Sequence, residues 1–237
     1  MVGKMFLLWF PLLAASFQCD LADQKTFLTA FHAYLSKFKI DDPMNFDGYR
    51  TAIEKIIEDE GWAGSEKICQ LVNALNIQLK PIEDCMDTAF ASEALQLHPT
   101  IVVHYFSNIK QWDYACNEGK DRFQSSFDCI RSYLQPQYCR GDNTNCLGMK
   151  QEFLCVLQFY HQNCGDDAAF VLCSMQTVSY YGQNCLSVLD CKDIISVSAG
   201  TQQFGAASGN STDFGHLHHV AAFWFTCRFV LYWLDLN

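Results

Sequence analysis

Thirteen cysteines in a chain of 237 residues limit what this sequence can fold into more than any other feature. No Cys-x-x-Cys occurs, so the spacings of zinc ribbons and thioredoxin-like redox sites are missing and structural disulfides become the default. Cys227 stands alone in an apolar C-terminal segment. Without it twelve remain: Cys19, Cys69, Cys85, Cys116, Cys129, Cys139, Cys146, Cys155, Cys164, Cys173, Cys185 and Cys191. An even set allows up to six disulfides, although spacing cannot assign them. Such a framework implies an oxidising, extracytoplasmic compartment. It is compatible with many functions and specifies none.

Both ends of the chain read as processing signals. Lys4 precedes an apolar run over residues 5–15, and the small residues Ala14 and Ser16 suit cleavage after Ser16, so residues 1–16 are expected to be a signal peptide. Residues 199–219, rich in Ser, Gly, Ala and Thr, read as a flexible spacer. Residues 220–237 form an apolar tail. The small triplet Ala207-Ser208-Gly209, the polar stretch after it and the tail match a GPI-attachment signal, with attachment at Ala207. Arg228 and Asp235 interrupt the tail, and a terminal element packed on the core is the competing reading. Asn210-Ser211-Thr212 is the one glycosylation sequon. Glycan on Asn210 of the mature protein would exclude attachment at Ala207.

Between the ends, about 180 residues are enough for a real hydrophobic core. Half the chain is hydrophobic and 18% is charged, which excludes extensive disorder. A formal charge of -10 with scattered Lys and Arg argues against nucleic-acid binding.

Helical spacing and punctuation organise the first half. Asp23 can cap a helix carrying Phe27, Phe31, Tyr34, Leu35 and Phe38, and the Asp42-Pro43 and Asp47-Gly48 turns end it. A second helix runs over 49–60 and stops at Gly61. Ser65 opens a third, with Ile68, Leu71, Val72, Leu75 and Leu79 in one stripe that Pro81 terminates. Helix also fits 82–97. Over 100–112 the β-branched Ile101, Val102 and Val103 favour strand while the later spacing suits helix, and helix is preferred.

The second half holds most of the cysteines. A helix is expected over 121–134, closed by Pro136. Cys146, Cys155, Cys164 and Cys173 then come at intervals of nine residues, about two and a half helical turns, which would place neighbours on opposite faces of one long helix. Asn163-Cys164-Gly165-Asp166-Asp167 breaks that helix: Gly165 can take the left-handed position and either aspartate can cap the next helix. An antiparallel helical hairpin folded at Cys164 places Cys155 and Cys173 each about 13 Å from the turn, as natural partners. A last helix is expected over 183–197.

Motifs for chemistry are sparse. There is no His-Glu-x-x-His, Gly-x-Ser-x-Gly, phosphate-binding loop or dinucleotide fingerprint, and no catalytic residue, cofactor or metal ligand is assigned. His32, His98, His104 and His161 are dispersed, and His216, His218 and His219 fall in the spacer. Arg140-Gly141-Asp142 resembles the integrin-recognition tripeptide. If Cys139 pairs with Cys146, it would sit at the tip of a stapled loop; ordinary turn chemistry explains the same residues.

The stretch from Cys129 to Cys191, with Cys155, Asn163-Cys164-Gly165, an alanine-rich start and Cys173, flanked by Cys146 and Cys185, resembles a nematode family of secreted, cysteine-rich helical domains of unknown function related to chondroitin-proteoglycan core proteins. The resemblance implies an extracellular, mostly α domain without known catalysis. Those proteoglycans carry glycosaminoglycan on Ser-Gly sites, and Ser208-Gly209 is the only such dipeptide here.

The expected molecule is all-α: a disulfide-stapled helical bundle over 17–198, with two subdomains conceivable near 17–112 and 113–198, containing a helical hairpin around Cys164. It is read as a secreted or cell-surface binding or structural protein with an extracellular partner and, through a lipid anchor, a membrane association. An adhesion ligand displaying Arg140 and Asp142 is the first alternative, and a secreted hydrolase with an unrecognised site the second.

Overall fold

The computed structural model describes residues 19–133, 139, 146–179 and 191. Among them the chain is all-α, with eight helices: α1 (Leu21–Ser36), α2 (Phe46–Glu60), α3 (Trp62–Leu79), α4 (Thr88–Leu95), α5 (Pro99–Cys116), α6 (Lys120–Ser132), α7 (Cys146–Cys164) and α8 (Asp166–Val178). A 3₁₀ turn, Lys80–Cys85, continues α3. The leader, the helix expected over 183–197, the spacer and the tail with Cys227 lie outside the described residues.

Local chemistry sets the boundaries. Asp20, three residues ahead of the expected cap, is the N-cap of α1: its carboxylate accepts from the backbone of Ala22 and Asp23, and Asp23 accepts from the Asp20 backbone in return. This capping box satisfies amides at both ends of the first turn. Helix α3 starts at Trp62, not at Ser65, because Gly61 already turns the chain at φ 61°. Gly64 then lets α3 approach α2, since a Cβ there would stand 2.5 Å from the Ile56 carbonyl oxygen. Pro81 does not end the helical path. It tightens it into the 3₁₀ turn, where its missing N–H falls at a helix start and costs little. Asp87 caps α4 by accepting from the Phe90 backbone at 2.7 Å.

Helix α5 is the centre. Twelve of its eighteen residues are buried, and it packs against α2, α3, α4, α6 and α8. Pro99 in the first turn and His98 accepting from the Thr100 backbone start it as a helix despite Ile101, Val102 and Val103. Its sequence reads ambiguously because three β-branched residues, Ile101, Val102 and Val103, open it. Tyr105 receives Phe31 and Phe46 edge-on at 5.2 and 4.9 Å. Trp112 meets Phe123 of α6 at 6.0 Å. Each such buried aromatic contributes on the order of 2–3 kcal/mol of burial free energy.

The expected hairpin is present: α7 and α8 pack together across Gly165, whose φ of 83° suits a residue without Cβ. Neither aspartate is the cap. Gly165 itself is the N-cap of α8, and Asp166 and Asp167 occupy its first turn, favourably placed against the helix dipole. Asp166 reaches back to His161 at 2.9 Å and Asp167 lies 3.5 Å from Arg122 of α6.

The cysteine pairing differs from the expectation. Cys155 bonds Cys139 and Cys173 bonds Cys191, so the expected Cys155–Cys173 bridge does not exist. Equal distance from the turn fixes height along the two helices but not rotation about them. Cys173 is fully buried while Cys155 is half-buried. Both therefore staple the hairpin to flanking segments. Cys164 bonds Cys129 of α6, and Cys19–Cys85 and Cys69–Cys116 close the first half. In a chain-entropy picture each of these five loops is worth about 3–4 kcal/mol.

Non-reducing peptide mapping should recover Cys139–Cys155, Cys129–Cys164 and Cys173–Cys191 as separate linkages. A linked Cys155–Cys173 peptide would refute this arrangement.

Candidate functional site

A cleft of about 450 Å³ opens between α3 with its 3₁₀ extension and α5. This is within the range, roughly 300–1,000 Å³, of pockets that hold small molecules. Its inner surface is apolar: Phe31 of α1, Leu75 and Leu79 of α3, Met86 after the 3₁₀ turn, and Phe106 and Ile109 of α5. Asn76, Lys80, Glu83, Lys110 and Asp113 supply the polar lining.

The two walls are fixed at defined points. Cys69–Cys116 joins the middle of α3 to the last residue of α5. Beside it runs a polar ladder: Asn117 donates to Asn73 at 3.2 Å and to Asp113 at 2.9 Å, and Asn76 donates to the same Asp113 oxygen at 2.8 Å. Cys19–Cys85 ties the end of the 3₁₀ turn to the start of α1, whose Phe31 lines the cleft. Lys80 is paired with Glu83 on the turn. Lys110 is exposed and has no carboxylate within ion-pair distance among the described residues.

A second polar cluster lies inside the core. Tyr34 and Tyr49 share a hydrogen bond at 2.7 Å, and the Tyr49 hydroxyl donates to Asn108 Oδ1 at 2.9 Å. Farther along α5, Gln111 donates to Gln176 of α8 at 3.1 Å. His104 is 5% exposed and stacks on Phe46 at 5.2 Å. Burial lowers its pKa from 6.5 to about 4, so it is neutral at neutral pH. Tyr105 is pushed up by burial and by the charge of Asp42, and Tyr160 by burial. These groups join helices inside the core and do not open onto the cleft lining.

The described metal-ligand-like group is Cys19, Asp23 and Cys85. Both sulfurs are joined to each other, and Asp23 is engaged in the α1 capping box, which leaves no thiolate for a metal. Arg140, Gly141, Asp142, Cys185, Ala207 and Asn210 lie outside the described residues. Cys139 is bonded to Cys155, so the Cys139–Cys146 staple imagined around the tripeptide is not formed. Sequence reading marked Phe31, Leu75 and Leu79 as core and missed the cleft, because nothing local reports that Asn76 and Asp113, 37 residues apart, face each other.

Fold and cleft together define a disulfide-stapled all-α protein with an apolar recess. No family model, curated protein or solved structure matches this chain. No described helix is long and apolar enough to cross a membrane.

The buried His104 gives an acid-sensitive core. The unfolded chain binds a proton below pH 6.5 that the native state refuses until about pH 4. The stability it contributes is complete above 6.5 and is lost at up to about 1.4 kcal/mol per pH unit between those limits. Urea midpoints at pH 7.5 and 5 should fall less for His104→Gln than for the wild type; equal falls would contradict this.

Proposed function

We propose that this chain is an extracytoplasmic binding protein, secreted or held at the cell surface, that works without catalysis. The observation that carries the reading is the set of five disulfides closing the described helices on one another. Thiols in the cytosol are kept reduced, whereas secreted domains retain such bridges. The recess between α3 and α5 gives the frame something to hold: an apolar pocket with a few polar groups is the usual form of a small-molecule site. Kinship with the nematode cysteine-rich helical family belongs to the same reading, supported by Asn163-Cys164-Gly165 at the hairpin turn. So does a lipid anchor at Ala207, supported by the small-residue triplet and apolar tail of the sequence.

The test is expression of the full chain with its own leader in a secretory host, with intact and reduced masses of the product. The expected outcome is a product that has lost residues 1–16 and appears in the medium or on the cell surface. At least ten of its cysteines should become alkylatable only after reduction, two for each of the five bridges. Intracellular retention with the leader intact and free thiols would contradict the proposal. The same masses report a glycan on Asn210 or a lipid at Ala207.

A further inference from the structure

We infer that the cleft between α3, the 3₁₀ turn and α5 binds a single-chain amphiphile with an anionic head: an alkyl carboxylate whose chain lies on Leu79, Met86, Phe106 and Ile109 and whose head meets Lys110. This names the ligand class for the binding protein proposed above and rests on that reading.

Three observations favour this occupant. The first is size and lining. About 450 Å³ is the volume of about fifteen water molecules at roughly 30 Å³ each. Water filling it would face Leu79, Met86, Phe106 and Ile109, none of which offers a strong hydrogen-bonding side chain, while Phe31 and Leu75 lie fully buried behind them. Displacing that water onto an alkyl chain is favourable at about 25 cal/mol per Å² of apolar surface covered. Met86, unbranched and half-buried at one wall, can adjust to chains of different length.

The second is the balance of charge at the polar margin. Lys80 is neutralised by Glu83. Asp113 keeps its negative charge, and its Oδ1 accepts from two side-chain amides, those of Asn76 and Asn117, which fix that oxygen against α3. Lys110, one turn from Asp113 on α5, is the cation of the cleft lining with no carboxylate in ion-pair distance among the described residues. A carboxylate head placed at Lys110 gains a charge-assisted hydrogen bond, while a cationic head would face it unfavourably.

The third is preorganisation. The Cys69–Cys116 and Cys19–Cys85 bridges and the Asn76–Asp113 bond hold both walls. The recess therefore exists before the ligand arrives, and little ordering cost falls on binding.

The test is calorimetric titration of the oxidised, full mature chain with dodecanoate below its micellar concentration, and with dodecanol as the uncharged probe of equal length. One equivalent of dodecanoate should bind. Lys110→Glu changes an exposed side chain and leaves the core alone; it should weaken dodecanoate by about fivefold or more, the scale of one exposed charge pair lost and reversed, and leave dodecanol within about twofold. Met86→Trp, which fills the recess from its half-buried wall, should abolish both; its helical circular dichroism must match the wild type, and Ile109→Phe serves as a second filler if it does not. No binding by the oxidised wild type overturns the inference, whether another segment or nothing occupies the cleft. Binding that both fillers leave intact places the ligand elsewhere and overturns it too. Equal loss of dodecanoate and dodecanol in Lys110→Glu overturns the role of the head. Failure here with a secreted, disulfide-bonded product leaves the proposed function standing; binding by a chain that is never secreted does the reverse.

Discussion

The structure depends on a helix that has almost no solvent face. Helix α5 places Val102, Tyr105, Trp112 and Ala115 in full burial, and α2, α3, α4, α6 and α8 all pack on it. Four of its buried residues are polar: His104, Ser107, Asn108 and Gln111. Burying such groups is tolerable only when they are matched, and Tyr49 meets Asn108 while Gln176 meets Gln111. These bonds add register to an otherwise apolar contact. They fix which turn of α2 and which turn of α8 lies beside α5.

The disulfides are arranged around this post and do not replace it. Cys19–Cys85 and Cys69–Cys116 lie wholly within the first half, and Cys129–Cys164, Cys139–Cys155 and Cys173–Cys191 wholly within the second. No described bridge crosses between the two sets. What joins them is packing of α6 and α8 on α5, with the Gln111–Gln176 bond and the Trp112 ring 6.0 Å from that of Phe123. One hydrophobic cluster accordingly runs from Phe27 to Cys191. The cleft belongs to the first set: α5 forms one wall, α3 the other, and both bridges of that set hold the walls in place.

Much of the helical order is legible in the sequence because punctuation is local chemistry. Gly61 and Gly165 each act within a few residues, and the boundaries read at them agree with the observed ones to within a turn; the single helix read over 82–97 is instead divided by the Asp87 cap into a 3₁₀ turn and α4. Spacing also placed the hairpin. Its cysteine pairing was not legible, because the nine-residue interval specifies height along α7 and α8 while rotation about each axis depends on packing against α5 and α6. Helix α5 was ambiguous for a local reason: the strand preference of Ile101, Val102 and Val103 competes with the helical spacing that follows, and the Pro99 first turn and His98 cap decide it. The cleft requires the relative position of Leu75 and Ile109 on separate helices, and that relation has no local signature.

Native-state hydrogen exchange of the oxidised protein, read out by mass spectrometry of peptides, tests the central role of α5 most directly. If α5 is the post on which the other helices are assembled, amides over residues 102–115 will exchange only through global unfolding. They will be the slowest in the protein, and their opening free energy will equal that from denaturant unfolding. Opening of α5 at lower free energy than the α7–α8 hairpin would contradict this, and would show that the hairpin and its bridges hold the fold instead.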